Sequence, residues 1–238
     1  MTQSDAVEMA ALRARFPKPA PGAAAFQALS IVATTGYLAY LVHVGESSPV
    51  AIAAFGVLEL IGHSLIANVA MLSVPKASRV GVPDMPLPKR LAGMAVLIGW
   101  LVGVGWLGVG GDAQHVAVVH RAHDPLAALE ELNVLRPLAL ALLLAAVSVI
   151  ADRVRWSVHR GPFVNGLAMG GVAKFLTAAI APMLAFILVN WDAWSQTRAV
   201  ATWCAIYLGM RCVLELLLLW WQFLGMPERE DNARSGKV

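Results

Sequence analysis

The apolar positions of this chain fall into blocks about 20 residues long, with neither the one-sided stripes of a soluble helix nor the alternation of a half-buried strand. Six blocks are legible: Ala24–Val44, Val50–Val74, Leu91–Gly110, Arg136–Val154, Leu167–Asn190 and Arg198–Leu224. Each is long enough to cross a hydrocarbon core about 30 Å thick as an α-helix. Gly45–Pro49 is a tight turn, so the first two spans form a hairpin. Asp124–Pro125 predicts an N-cap and first helical residue, opening a short interfacial helix before the fourth span. The pattern therefore predicts an all-α, polytopic transmembrane bundle. Residues 1–23 form an N-terminal segment, 24–224 the six-span domain and 225–238 a tail. No soluble domain and no internal repeat is visible.

Within the spans, Gly99, Gly103 and Gly105, and Gly170 and Gly171, suit close helix–helix approach. Pro182 predicts a kink in the fifth span. Trp191 and Trp194 fit one interfacial belt, and Trp220 and Trp221 the other.

Composition agrees with lipid as the solvent. Of 238 residues, 58% are apolar and only 14% charged, well short of the quarter that an aqueous surface needs. Some 23 mostly polar residues precede the first apolar run, so the sequence predicts a retained span and no cleavable signal. The net charge of +3 does not point to nucleic acid, because no basic run is interleaved with aromatics in a soluble segment. The two cysteines, Cys204 and Cys212, lie eight helical residues or about 12 Å apart, too far for a mutual disulfide.

The basic residues supply an orientation. Arg13, Arg15 and Lys18 precede the first span, and Lys76, Arg79, Lys89 and Arg90 lie between the second and third. Arg153, Arg155 and Arg160 follow the fourth, and Arg229, Arg234 and Lys237 the sixth. The alternate connections carry only Arg121 and Arg198. By the positive-inside rule both termini are expected to be cytoplasmic.

Several polar groups interrupt the apolar spans. Glu59, His63 and Asn68 stand in the second, Lys174 in the fifth, and Arg211 and Glu215 in the sixth. At 1.5 Å per residue Glu59 lies roughly 14 Å from the outer boundary, His63, Lys174 and Arg211 about 20 Å, and Glu215 about 27 Å. Both Glu59/His63 and Arg211/Glu215 have i,i+4 spacing and so share a helix face. Ionisable groups in a span usually face the bundle interior with a partner, so Glu59 is expected to meet Arg211 or Lys174. Such a cluster either locks spans two, five and six together or forms a proton or ion site through His63 or Glu59. The lock is favoured, because the cations neutralise the carboxylates without any further role.

His115, His120, His123 and Asp124 gather in the outer connection. Across five helical residues the rings of His115 and His120 would diverge by about 140°. Only His120, His123 and Asp124 could form a nucleus, and three ligands leave an open, weak site. A solvated loop is the favoured reading, and no cofactor is expected. No GxSxG, Walker or HExxH motif occurs, and Gly103-Val-Gly105-Trp-Leu-Gly108 has its last glycine one residue early for a dinucleotide fingerprint.

Phe55-Gly-Val-Leu-Glu59-Leu, Asn68, Arg211-Cys-Val-Leu-Glu215 and Ser148–Arg160 together resemble the DUF6498 group of bacterial integral membrane proteins. That group carries an acid in an early span and a cation with an acid four residues on in its last span. Here the Tyr-Trp pair before the first acid is absent, and Leu219 stands where a His would follow. The resemblance implies a multi-span membrane protein in which Glu59, Arg211 and Glu215 matter, and it implies no activity. Three functions compete: a non-enzymatic membrane protein, a small proton- or ion-coupled transporter, and an enzyme with a metal on the outer histidines. The first needs the fewest additions. Its partner is the lipid bilayer, with a homo-oligomer or another membrane protein left open.

Overall fold

The structure is a computed structural model and describes residues 21–75, 95–96, 98–100, 102–103, 124–159, 167–189 and 193–224. Six helices are delimited among the described residues: α1 Pro21–His43, α2 Pro49–Leu72, α3 Pro125–Glu131, α4 Leu135–His159, α5 Leu167–Leu188 and α6 Gln196–Leu224. No strand occurs among the described residues. Five of the helices, all but α3, are long and apolar enough to cross a membrane. They coincide with the first, second, fourth, fifth and sixth blocks of the sequence. The third block lies largely outside the described residues; its described part is helical, and Trp100 sets its ring 6.3 Å from that of Phe175 on α5.

The five long helices close into a ring by packing α1 on α6, α6 on α5, α5 on α2, α2 on α4 and α4 on α1. The outward faces carry large apolar side chains such as Leu29, Val69, Ile150 and Ile187, which is the inverse of a soluble bundle. The largest core cluster joins Leu38, Ile52, Phe55, Ala181, Trp203 and Tyr207 near one end of the bundle.

That end is built by local backbone chemistry. In α1, Glu46 N–H donates to the Leu41 carbonyl and Gly45 N–H to that of Val42, with Gly45 at φ +78°. The same pair of bonds ends α3, from Val134 to Leu129 and from Asn133 to Glu130, with Asn133 at φ +54°. Both are Schellman caps, which need a left-handed residue that glycine adopts freely and asparagine tolerates. The Asn133 side chain then donates to the Glu46 carbonyl at 3.2 Å and fastens the two caps together. Ser48 caps α2 through its Oγ, which accepts from Ala51 N–H at 3.2 Å, with Pro49 following it. Asp124 caps α3 as the sequence predicts, accepting from Leu126 N–H at 2.8 Å. At the opposite end, Arg153 of α4 donates to the carbonyl of Ser73, the C-cap of α2, at 3.1 Å. These are the Asn133 end and the Ser73 end below.

The glycine expectation needs correction. A Cβ on Gly99, Gly103 or Gly171 would meet nothing within 4 Å among the described residues, and Gly105 lies outside them. Close approach occurs on α2 instead. The Tyr207 hydroxyl occupies the space of a Cβ on Gly56, and a Leu142 methyl does so at Gly62. Small residues matter where a large partner arrives, and the sequence spacing of glycines alone does not identify that partner. Pro182 sits inside α5, which is assigned as one continuous helix around it.

A buried ring of four charges

Glu59 of α2, Lys174 of α5, and Arg211 and Glu215 of α6 are all buried, with 2%, 7%, 2% and 4% of their surfaces exposed. They meet as one closed cycle. Lys174 Nζ donates to Glu59 Oε1 at 2.8 Å and to Glu215 Oε2 at 2.9 Å. Arg211 Nη2 donates to Glu59 Oε1 at 2.8 Å, and its Nε to Glu215 Oε1 at 3.0 Å. Each carboxylate bridges both cations and each cation bridges both carboxylates, so the four formal charges sum to zero.

Helix periodicity explains why these four meet. On α2 the buried positions Ile52, Phe55–Gly56, Glu59–Leu60 and His63 recur every three to four residues and form one inward stripe. On α6 the stripe is Trp203–Cys204, Tyr207–Leu208, Arg211, Glu215 and Leu219, and on α5 it is Lys174, Thr177–Ala178, Ala181 and Ala185. The i,i+4 spacing of Arg211 and Glu215 lets the guanidinium edge reach its own helix with Nε and α2 with Nη2. Phe55 lies against the guanidinium, with Arg211 Cζ 4.9 Å from the ring centroid. A desolvated contact of this kind contributes about 2 kcal/mol.

The other polar groups singled out by sequence use their bonds locally. His63 is buried, and its Nδ1 lies 3.0 Å from the Glu59 carbonyl of its own helix. Asn68 is half-buried, and its Nδ2 donates to the Ser64 carbonyl at 2.8 Å. His115, His120 and His123 lie outside the described residues, while Asp124 is exposed and commits Oδ1 to its capping bond. Neither Cys204 nor Cys212 forms a disulfide among the described residues. At the Asn133 end, Arg198 stands 4.7 Å over the Trp194 ring, a pairing suited to an interfacial belt.

Three neighbours of the ring were given no role by the sequence reading: Thr177, Tyr207 and Phe55, the last named only as the start of a motif. Each sits three or four residues from a ring member, one turn towards the Asn133 end, so helical spacing from the charges was the available signal. Tyr207 packs its phenol against Gly56 and stacks on Trp203, with centroids 5.4 Å apart.

No family model matches the chain, and no curated protein or solved structure matches it.

Proposed function

We propose that the protein is a non-enzymatic, six-span protein of the bacterial cytoplasmic membrane whose charge ring fixes how α2, α5 and α6 pack. The closed, charge-balanced cycle carries this reading. A ring whose four formal charges already cancel needs no ion to complete it, and each helix holds it through a different side chain. Ion pairs in hydrocarbon are costly to separate, so sliding one helix past another would expose uncompensated charge. The thirteen basic residues on alternate connections put the Ser73 end and both termini in the cytoplasm. Kinship with the DUF6498 group is part of the proposal, since the three residues that the resemblance singles out are three of the four ring members.

A proton- or ion-coupled carrier is the second reading. It is favoured by His63, a titratable side chain buried one turn from Glu59 and bonded to that residue's carbonyl.

Reconstitution into liposomes separates the two. A lock predicts no proton uptake under an imposed gradient, and it predicts that Lys174→Met with Glu215→Met regains much of the thermal stability lost in Lys174→Met alone. Proton flux that disappears in the double variant would establish the carrier and overturn the lock. For orientation, reporter fusions at both termini and within 75–90 should read cytoplasmic, and fusions within 111–133 periplasmic. A periplasmic signal at the C-terminus would rule out six spans.

A further inference from the structure

Arg211 Nη1 lies in the interior with no hydrogen-bond partner among the described residues, although Nε and Nη2 of the same guanidinium are both engaged. Thr177 Oγ1 is likewise buried and without one. Thr177 follows Lys174 by three residues on the inward stripe of α5, one turn towards the Asn133 end. The Arg211 guanidinium is stacked on Phe55, which precedes Glu59 by one turn in the same direction. Two buried, uncommitted hydrogen-bonding atoms thus come from two helices, one on the charge ring itself and one on the residue a turn from Lys174. A buried donor left unmatched costs about 1–3 kcal/mol, more when it is charged, so native interiors supply an acceptor.

Charge balance selects the acceptor's class. The ring is already neutral, and an added oxyanion would leave a net negative charge buried between helices, with a desolvation penalty of several kcal/mol. A small neutral acceptor satisfies Nη1 without that penalty, and water fits a layer that contains a guanidinium and a hydroxyl. We infer that the face of the ring towards the Asn133 end is wet: it holds buried water that accepts from Arg211 Nη1 and hydrogen-bonds Thr177 Oγ1, beside the rings of Phe55 and Tyr207. This hydration is independent of whether the ring serves as a lock or a carrier, since either requires its donors to be matched. It also supplies a polarisable neighbour that lowers the energy of holding four charges in hydrocarbon.

Radical labelling by X-ray pulses tests the inference on the full chain in lipid nanodiscs, because radicals form from water wherever it is bound. Phe55 and Tyr207 are closed to bulk solvent, with 0% and 1% exposure, and so is Trp203, one turn beyond Tyr207. The expected result is oxidation of Phe55 or Tyr207 ahead of Trp203, although indole is intrinsically the more reactive ring. That labelling should weaken in Thr177→Val, where Arg211 Nη1 alone still holds the water, and be retained in full in Thr177→Ser, which preserves the hydroxyl. Absence of oxidation at both Phe55 and Tyr207, at doses that oxidise the exposed Trp220, would overturn the inference. Labelling that is unchanged in Thr177→Val would overturn the bond assigned to Thr177 Oγ1.

Discussion

Trp203 and Tyr207 stack on one another and share an apolar core cluster with Phe55, and one turn from Phe55 and Tyr207 the residues Glu59 and Arg211 join Lys174 and Glu215 in a charge cycle. Both layers are almost fully closed to solvent. The aromatic layer depends on volume: Gly56 is present because Tyr207 needs its space. The charged layer depends on a sum, because each member is tolerable only while the other three are present. A volume error can relax by small shifts of neighbouring side chains. A charge error persists until a proton, a water or a helix moves, so the two layers should respond differently to substitution.

Removing one charge from the ring should have the largest effect. Arg211→Met leaves Glu59 and Glu215 facing a single lysine, and the loss expected for a broken buried pair is about 3–5 kcal/mol. The Tm in detergent should drop sharply, and adding Glu215→Met should recover a substantial part by restoring neutrality. A double variant no better than the single would show that ring geometry matters more than its sum.

Trp203→Ala tests the aromatic layer at a comparable scale, with about 3–5 kcal/mol expected for deleting a large buried ring. Here no second-site charge change should compensate. Recovery by any ring substitution would merge two layers that are here held to be distinct. Gly56→Ala should cost less, about 1–3 kcal/mol, since the new Cβ must displace the Tyr207 phenol. Adding Tyr207→Phe removes the atom in conflict and should return most of the loss. An unchanged Tm for Gly56→Ala would mean that the helices separate there without penalty.

The smallest effect belongs to the Ser48 cap, two turns from Phe55 on α2. Ser48→Ala removes the acceptor for Ala51 N–H and should lower stability by about 1 kcal/mol. Ser48→Asp should retain most of it. A loss as large as that of Arg211→Met would show that the cap contributes more than its single hydrogen bond.

The spans were legible because bilayer thickness imposes a length on apolar blocks, and Pro49 and Asp124–Pro125 mark helix starts through chemistry that acts within a few residues. The capping role of Asp124 needs only Leu126 and Ala127 beside it, so the sequence contained everything required. Four of the six proposed members of the charged cluster meet, since a lone Glu59 in hydrocarbon implies a cation near its level, while counted depths set Glu59 and Glu215 farther apart than the one lysine that bridges them allows. The glycines were misread for the opposite reason. Gly99 and Gly103 have the spacing for close packing, but Gly56 and Gly62 receive Tyr207 and Leu142 from helices far along the chain.

What the sequence by itself determined, then, is the apolar surroundings, five of the six proposed spans, the Asp124 cap and the need of Glu59 for a cation such as Arg211 or Lys174. The tertiary structure decided how they pair. Whether Arg211 reaches Glu59 with Nη2 or with Nη1 depends on helix rotation and on Phe55 lying against the guanidinium, which no one-dimensional spacing encodes. It also decided that His63 and Asn68 turn to their own helix carbonyls, because rotamers are chosen by the neighbours that packing supplies. Depth along a helix follows from counting residues; partners follow only from the angles between helices.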